Sequence, residues 1–186
     1  MNQHPLYHHI NEIVDLEEEE FQDIINYFKP IYRKKHQFII EAGNDVNFEF
    51  FVIKGCLKSS VFDEGGKEHI IQFAMENWWI TDYNAFLHQE KAKLNIDCLE
   101  DCHLLAISYQ QKEEISINNP KMERFWSKKT KTGHAALQNR ILSLIKDSAK
   151  ERYESLTESY PELIQRVPKK YIASFLGVSR ETLSRL

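Results

Sequence analysis

Val167-Pro-Lys-Lys-Tyr-Ile-Ala-Ser-Phe-Leu-Gly-Val-Ser-Arg-Glu-Thr-Leu-Ser-Arg-Leu186 reads as two short helices meeting at a tight corner, a helix-turn-helix whose second member is a DNA recognition helix. Ala173 is small enough to let the second helix approach. Gly177 supplies a turn residue with positive φ, and Leu183 reaches back into the shared core. Ile172, Leu176, Val178 and Leu186 complete one apolar face. Pro168 suits the first position of the first helix, and Ser179 is placed to cap the second. The other side of that second helix carries Arg180, Glu181, Thr182, Ser184 and Arg185, residue types that reach base edges and phosphates in a major groove. Helical hairpins with this Ala/Gly/Leu pattern also occur as plain packing units, but the basic residues around this one favour nucleic acid.

Charge distribution along the chain supports that reading. The formal net charge of the 186 residues is only −4, yet residues 121–186 hold 14 Lys/Arg against 7 Asp/Glu, whereas residues 1–120 hold 10 against 21. A basic carboxyl third on an acidic remainder confines nucleic-acid binding to one end and makes it salt-sensitive. No run of 18 or more apolar residues exists, and the start of the chain, with His4, Pro5, His8, His9 and Glu12, lacks the basic-then-apolar layout of an export signal. A cytoplasmic location without a membrane partner is expected. Cys56, Cys98 and Cys102, an odd number without an export signal, are expected to be reduced and structural.

Outward from the corner, Asp147-Ser-Ala-Lys-Glu151 forms a capping box directly after a proline-free segment running from Lys121 to Lys146. A helix of about 26 residues spans roughly 39 Å, more than one small domain needs for its own core. Small residues at Thr130, Thr132, Gly133, Ala135 and Ala136 permit close approach of a second copy, so helix 121–146 is expected to form a homodimer contact. A fresh helix start at Ser148 marks a hinge near Asp147. Nearer the amino terminus, Asp15-Leu-Glu-Glu18 resembles a capping box and predicts a helix over about 16–28 that Pro30 ends. Between Ile31 and Ser108 the texture is β-rich: 38–40, 48–53, 57–62, 69–73, 94–99 and 104–107. Gly43-Asn-Asp45, Gly55 and Asp63-Glu-Gly-Gly66 lie between these runs as turns. The pattern predicts an antiparallel jelly roll, followed by a short helix over 109–117. The fold class expected is therefore α+β. A β jelly-roll sensor domain occupies 1–120, a dimerisation helix 121–146 and a helix-turn-helix DNA-binding domain 147–186.

This order resembles the Crp/Fnr family of cyclic-nucleotide-binding-like transcription regulators. The residues that carry the likeness are Ser148-Ala-Lys-Glu-Arg-Tyr-Glu-Ser-Leu156, Tyr160-Pro-Glu-Leu163, and Gln165-Arg-Val-Pro168 through Ser179-Arg-Glu-Thr-Leu-Ser-Arg185, a string similar to the Bacteroidetes-type branch. Phe51-Val-Ile-Lys-Gly-Cys-Leu-Lys58 is similar to a barrel strand meeting a glycine turn. The resemblance implies that Arg180, Glu181 and Arg185 enter the major groove of double-stranded DNA. Arg180 and Arg185 would take guanine or phosphate, and Glu181 a cytosine amino group. It places Ser179, Lys169 and Lys170 near backbone phosphates. It also implies a winged corner, and because the sequence stops at Leu186 the wing is expected to be absent or very short.

The family's cyclic-nucleotide binders use a Gly-Glu pair and an Arg-Ser/Thr pair. The corresponding stretch, Phe73 to Asp82 followed by Gln89 to Asn95, has neither. The expected effector is therefore something other than cyclic AMP. Lys91 and Lys93 are available to an anion without the planar fork of arginine. Trp78, Trp79, Asp82 and Tyr83 either line a small-molecule pocket or serve as core and interface residues. No catalytic, metal or cofactor site is expected: His36, His69, His88 and His103 are isolated, residues 1–30 lack cysteine, and neither a nucleophile elbow nor a phosphate loop occurs. Two alternatives stand beside the regulator: a cupin-like metal-dependent enzyme with a helical accessory domain, and a ligand-binding module that has lost DNA binding. RNA polymerase would be a partner of an activator, but no surface for it is readable.

Overall fold

The computed structural model describes residues 4–186. Two short helices, α1 (Pro5–Asn11) and α2 (Glu18–Ile25), precede the first sheet. The helix expected over 16–28 starts later because the Asn11 side chain accepts the Leu16 N–H at 2.9 Å and holds that residue in the extended entry. The capping box is formed by Glu17 and Glu20 instead of Asp15 and Glu18. Pro30 does not end this helix. It lies inside β1 (Lys29–Arg33), a strand that pairs only with β8 (Cys102–Ser108), and an edge strand has no use for the missing N–H.

Six further strands complete two four-stranded antiparallel sheets: β2 (Phe38–Ile40), β3 (Phe48–Lys54), β4 (Leu57–Phe62), β5 (Glu68–Ala74), β6 (Trp79–Ile80) and β7 (Asn95–Cys98). One sheet runs β1-β8-β3-β6 and the other β2-β7-β4-β5. Phe50, Val52, Leu57, Ile80, Ile96 and Leu104 fill the space between them. Gly55, at φ +111°, makes the β3–β4 corner possible. A Cβ there would stand 2.6 Å from the Cys102 sulfur and 2.9 Å from the Asp101 carbonyl. Cys56, Cys98 and Cys102 are free and buried, and burial pushes the Cys56 thiol up to about 12.

Helix α3 (Tyr83–His88) follows β6, and α4 (Tyr109–Asn118) follows β8 with Ser108 and Gln111 as a capping box. The long α5 (Pro120–Lys146) begins with proline at its first position and Asn119 as its cap. Its first turns bury Met122, Phe125 and Trp126 against α1, Phe51 and Trp79. Beyond Trp126 none of its residues is buried, and Leu137, Ile141, Leu142, Leu144 and Ile145 are exposed. Four helices end the chain: α6 (Ala149–Ser159), α7 (Pro161–Arg166), α8 (Lys169–Phe175) and α9 (Arg180–Leu183). Ser148 and Glu151 form the expected capping box of α6. The core of these helices is shared with the barrel: Leu156, Leu163, Val167, Ile172 and Leu176 cluster with Cys56, Ile70, Phe73, Met75 and Leu99.

Candidate nucleic-acid interface

Helices α8 and α9 meet at the corner the residues call for. Ala173 is buried, and its carbonyl accepts the Val178 N–H at 3.0 Å. Gly177 turns the chain at φ +72°, and Leu183 is buried beneath the second helix. The Ser179 hydroxyl caps α9 by accepting the Thr182 N–H at 3.1 Å. Pro168 stands one place earlier than expected, at the N-cap of α8.

Arg180, Glu181, Thr182, Ser184 and Arg185 all lie on the exposed side, as do Lys169 and Lys170 at the start of α8. Among the described residues no salt bridge uses Arg180 or Arg185. The Glu181 carboxyl is held below its usual range, first by its own backbone N–H and then by the Ser179 hydroxyl, with both arginines adding to the effect. At neutral pH this surface therefore presents one carboxylate between two guanidinium groups, with a helix N-terminus behind them.

The other side of the same helices is docked on the sheet that contains β5. Ser174 donates to the Glu68 carbonyl at 2.8 Å and accepts from the Ile70 N–H at 3.1 Å. Arg140 of α5 donates to the Ile70 and Phe175 carbonyls, with its guanidinium 3.5 Å from the centre of the Phe175 ring. Arg166 makes the strongest tie, with bidentate contacts to Glu76 (2.7 and 3.0 Å) and Glu100 (3.0 and 2.7 Å). Those carboxylates, Glu100 first, raise the Arg166 pKa further above its already high value. Burial alone would raise Glu76, but Arg166 and the Gly55 N–H outweigh it and hold that carboxyl below the ordinary range. Beneath α8, Lys58 is buried on Asp97 and Glu68 with the Tyr171 ring 5.0 Å away. Burial works against its charge, and the two carboxylates more than offset that.

The residues singled out for an effector pocket do not converge. Trp79 is buried among Phe51, Phe125 and Trp126, and Trp78 stacks edge-on against Tyr160 at the end of α6. Tyr83 is half exposed on α3. Lys91 pairs with Asp45 at 2.7 Å, and Lys93 is exposed. Asp82 is buried and caps α3. Its carboxylate accepts the N–H groups of Ala85 (3.3 Å), Lys93 (2.8 Å) and Leu94 (3.1 Å). Among the described residues no group of three or more His, Cys, Asp or Glu is placed to hold a metal ion. None of the described helices is long and apolar enough to cross a membrane.

Sequence reasoning missed Arg166, Ser174 and Arg140 as docking residues, since nothing local marks a side chain whose partners lie 35 to 106 positions away. It also missed α3, although Asp82 ahead of Tyr83-Asn-Ala-Phe-Leu-His88 is a helix start of the type Ser148 supplies for α6.

Residues 30–119, from β1 through α4, match the cyclic nucleotide-binding domain. The chain is similar to regulators of the Crp/Fnr type. It is 24% identical over 161 residues to the cAMP-activated global transcriptional regulator CRP of Haemophilus influenzae, covering 80% of this chain and 70% of that protein. It is 26% identical over 181 residues to electron transport regulator A of Shewanella oneidensis, covering 90% and 70%. Among solved structures, the Thermus thermophilus catabolite activator protein aligns over 97% of this chain and 84% of its own at 19% identity and a TM-score of 0.58. A CooA mutant from Carboxydothermus hydrogenoformans aligns over 93% and 83% at 17% identity and a TM-score of 0.71. At these identities the structural matches establish the fold alone.

Proposed function

We propose that this chain is a homodimeric, sequence-specific DNA-binding transcriptional regulator of the Crp/Fnr type acting in the cytoplasm. Residues 1–120 serve as its sensor, 121–146 as its dimer helix and 147–186 as its DNA-binding unit. The observation that carries the reading is the exposed, ion-pair-free pair Arg180 and Arg185 on a correctly capped α9. Arg180, Glu181 and Arg185 read base edges, while Ser179, Lys169 and Lys170 hold phosphates. Dimerisation is supported by the second half of α5. There Leu137, Ile141 and Leu144 recur at the four-then-three spacing of a coiled-coil seam and are left exposed. Two such copies would present their α9 helices about 34 Å apart, one turn of duplex.

The sensed signal is something other than cyclic AMP. A cyclic phosphate needs backbone donors and a guanidinium. The Asp82 carboxylate already takes three N–H groups, and an anion placed beside it would face a buried like charge. Signal is passed to α9 through the docked face of α7 and α8.

Retention of genomic DNA fragments by the wild-type protein, compared with Arg180→Ala and Arg185→Ala, tests the assignment. Loss of retention in both variants is expected, and equal retention by all three proteins overturns it. Sedimentation equilibrium of Ile141→Asp tests the dimer. A monomer is expected where the wild type is a dimer, and an unchanged mass removes α5 as the contact.

A further inference from the structure

The two sheets do not close on each other where their edge strands β1 and β2 face one another. The opening is a cleft of about 260 Å³. Ile31, Ile39, Phe48 and Phe50 give it apolar walls, and Lys29 and Arg33, on the same face of β1 as Ile31, stand at its rim. The acidic residue at the rim, Asp45, is neutralised by Lys91 at 2.7 Å. Among the described residues Lys29 takes part in no salt bridge, and Arg33 donates to the carbonyl of Tyr32 at 3.0 Å. Two cations outside any ion pair among the described residues thus flank a recess of mixed polar and apolar lining in the part of the chain that holds 10 Lys/Arg against 21 Asp/Glu. A net negative surface gives no general reason for cations to collect there, and half-buried isoleucine and phenylalanine at the same place give inorganic anions nothing to contact.

We infer that this cleft binds a small amphiphilic anion, its carboxylate or phosphate head on Lys29 and Arg33 and its apolar body against Ile31, Ile39, Phe48 and Phe50. The guanidinium fork of Arg33 suits a planar or tetrahedral oxyanion, and the walls reward a compact hydrocarbon body. The cleft takes none of its lining residues from the stretch around Asp82, although Phe50 pairs with Ile80 there, and it lies on the side of the barrel where contacts lead to the docked corner. Arg33 is in register with Cys102, the Lys35 N–H donates to Asp101 at 2.8 Å, and the neighbouring Glu100 holds Arg166. The inference deepens the sensing role proposed for residues 1–120 by naming the class of ligand. It is tested without DNA, so its failure leaves the DNA-binding assignment standing, and the converse also holds.

Calorimetric titration of the full chain with octanoate and octyl phosphate, against 1-octanol and acetate, reads the proposal. Saturable binding of at least one octyl anion is expected, and the two anions differ according to which head the rim prefers. Both 1-octanol and acetate should bind at least tenfold more weakly. Lys29→Gln/Arg33→Gln should weaken the octyl anion at least tenfold. Lys34→Gln/Lys35→Gln removes the same charge from residues outside the cleft and should leave affinity within about twofold. Absence of saturable binding by either octyl anion overturns the inference, as does equal weakening by the two double variants, which would signify a diffuse charge effect. Thermal melting of both variants, expected to match the wild type, separates loss of the site from loss of the fold.

Discussion

Arginine serves opposite ends on the two faces of the carboxyl-terminal corner. Inward, Arg166 and Arg140 have their guanidinium groups aimed at carboxylates, carbonyls and an aromatic ring of the barrel and of α8. Outward, Arg180 and Arg185 are exposed and make no salt bridge among the described residues. The difference teaches how to tell a cation that holds a structure together from one kept available for a partner. The first kind has its donors satisfied inside the chain, whereas the second is fixed by a capped helix and a buried leucine and left open. The corner thus combines an internally bonded face with an exposed basic one.

Substitutions on the two faces should separate cleanly. The largest effect belongs to the outward face: Arg180→Ala or Arg185→Ala should each lower specific DNA affinity by about 1–3 kcal/mol while leaving the melting temperature unchanged. A fall in both would mean that these arginines also support the fold. Inward, Arg166→Ala strands Glu76 and Glu100. Because all three side chains are partly exposed, the expected loss of stability is about 2 kcal/mol, with faster amide exchange in α7 and α8. Unchanged exchange there would show that the shared apolar core, not Arg166, holds the corner. Gly177→Ala should cost about 1 kcal/mol in denaturant melts. The cost comes from the backbone at φ +72°, since a Cβ there meets only the Leu144 methyl at an ordinary 3.5 Å.

The smallest effect is that of pH. Because Arg166 holds the folded pKa of Glu76 below its ordinary value, the contribution of this pair is fully present above the ordinary carboxylate range. It is lost only as pH falls through the lowered value. Emission from Trp78, which stacks on Tyr160 across the docked face, should therefore stay constant from pH 7 down to about 5 and change below about 4. The change should be absent in Arg166→Ala. A transition near neutral pH would assign the switch to other groups.

How much was legible in the sequence follows from where the determinants lie. Ala173, Gly177, Ser179 and Leu183 span 11 positions and act on one another, so the corner was readable without the rest of the molecule. The same holds for Ser148 and Glu151 and for the strands bounded by Gly55 and Gly66. Strand β1 was not readable, because Pro30 is tolerated only through its place at a sheet edge, a fact of tertiary structure. Strand β6, two residues long, shows no alternation, and its Trp79 is committed to a core assembled from α1, β3 and α5. Aromatic and acidic residues that looked alike as pocket candidates differ in what surrounds them. Trp79 fills the core, Trp78 meets α6, and Asp82 caps a helix. The docking of α8 on β5 likewise depends on residues about a hundred positions apart.

The central claim, that the outward face of the corner meets DNA while the inward face stays on the barrel, is tested most directly by amide shift mapping during titration with a duplex bound by the wild-type protein. The account predicts shifts concentrated at Lys169, Lys170 and Ser179 to Arg185, with Glu68 to Ala74 unmoved unless the signal is present. Shifts centred on the barrel strands, with Ser179 to Arg185 unchanged, would contradict it.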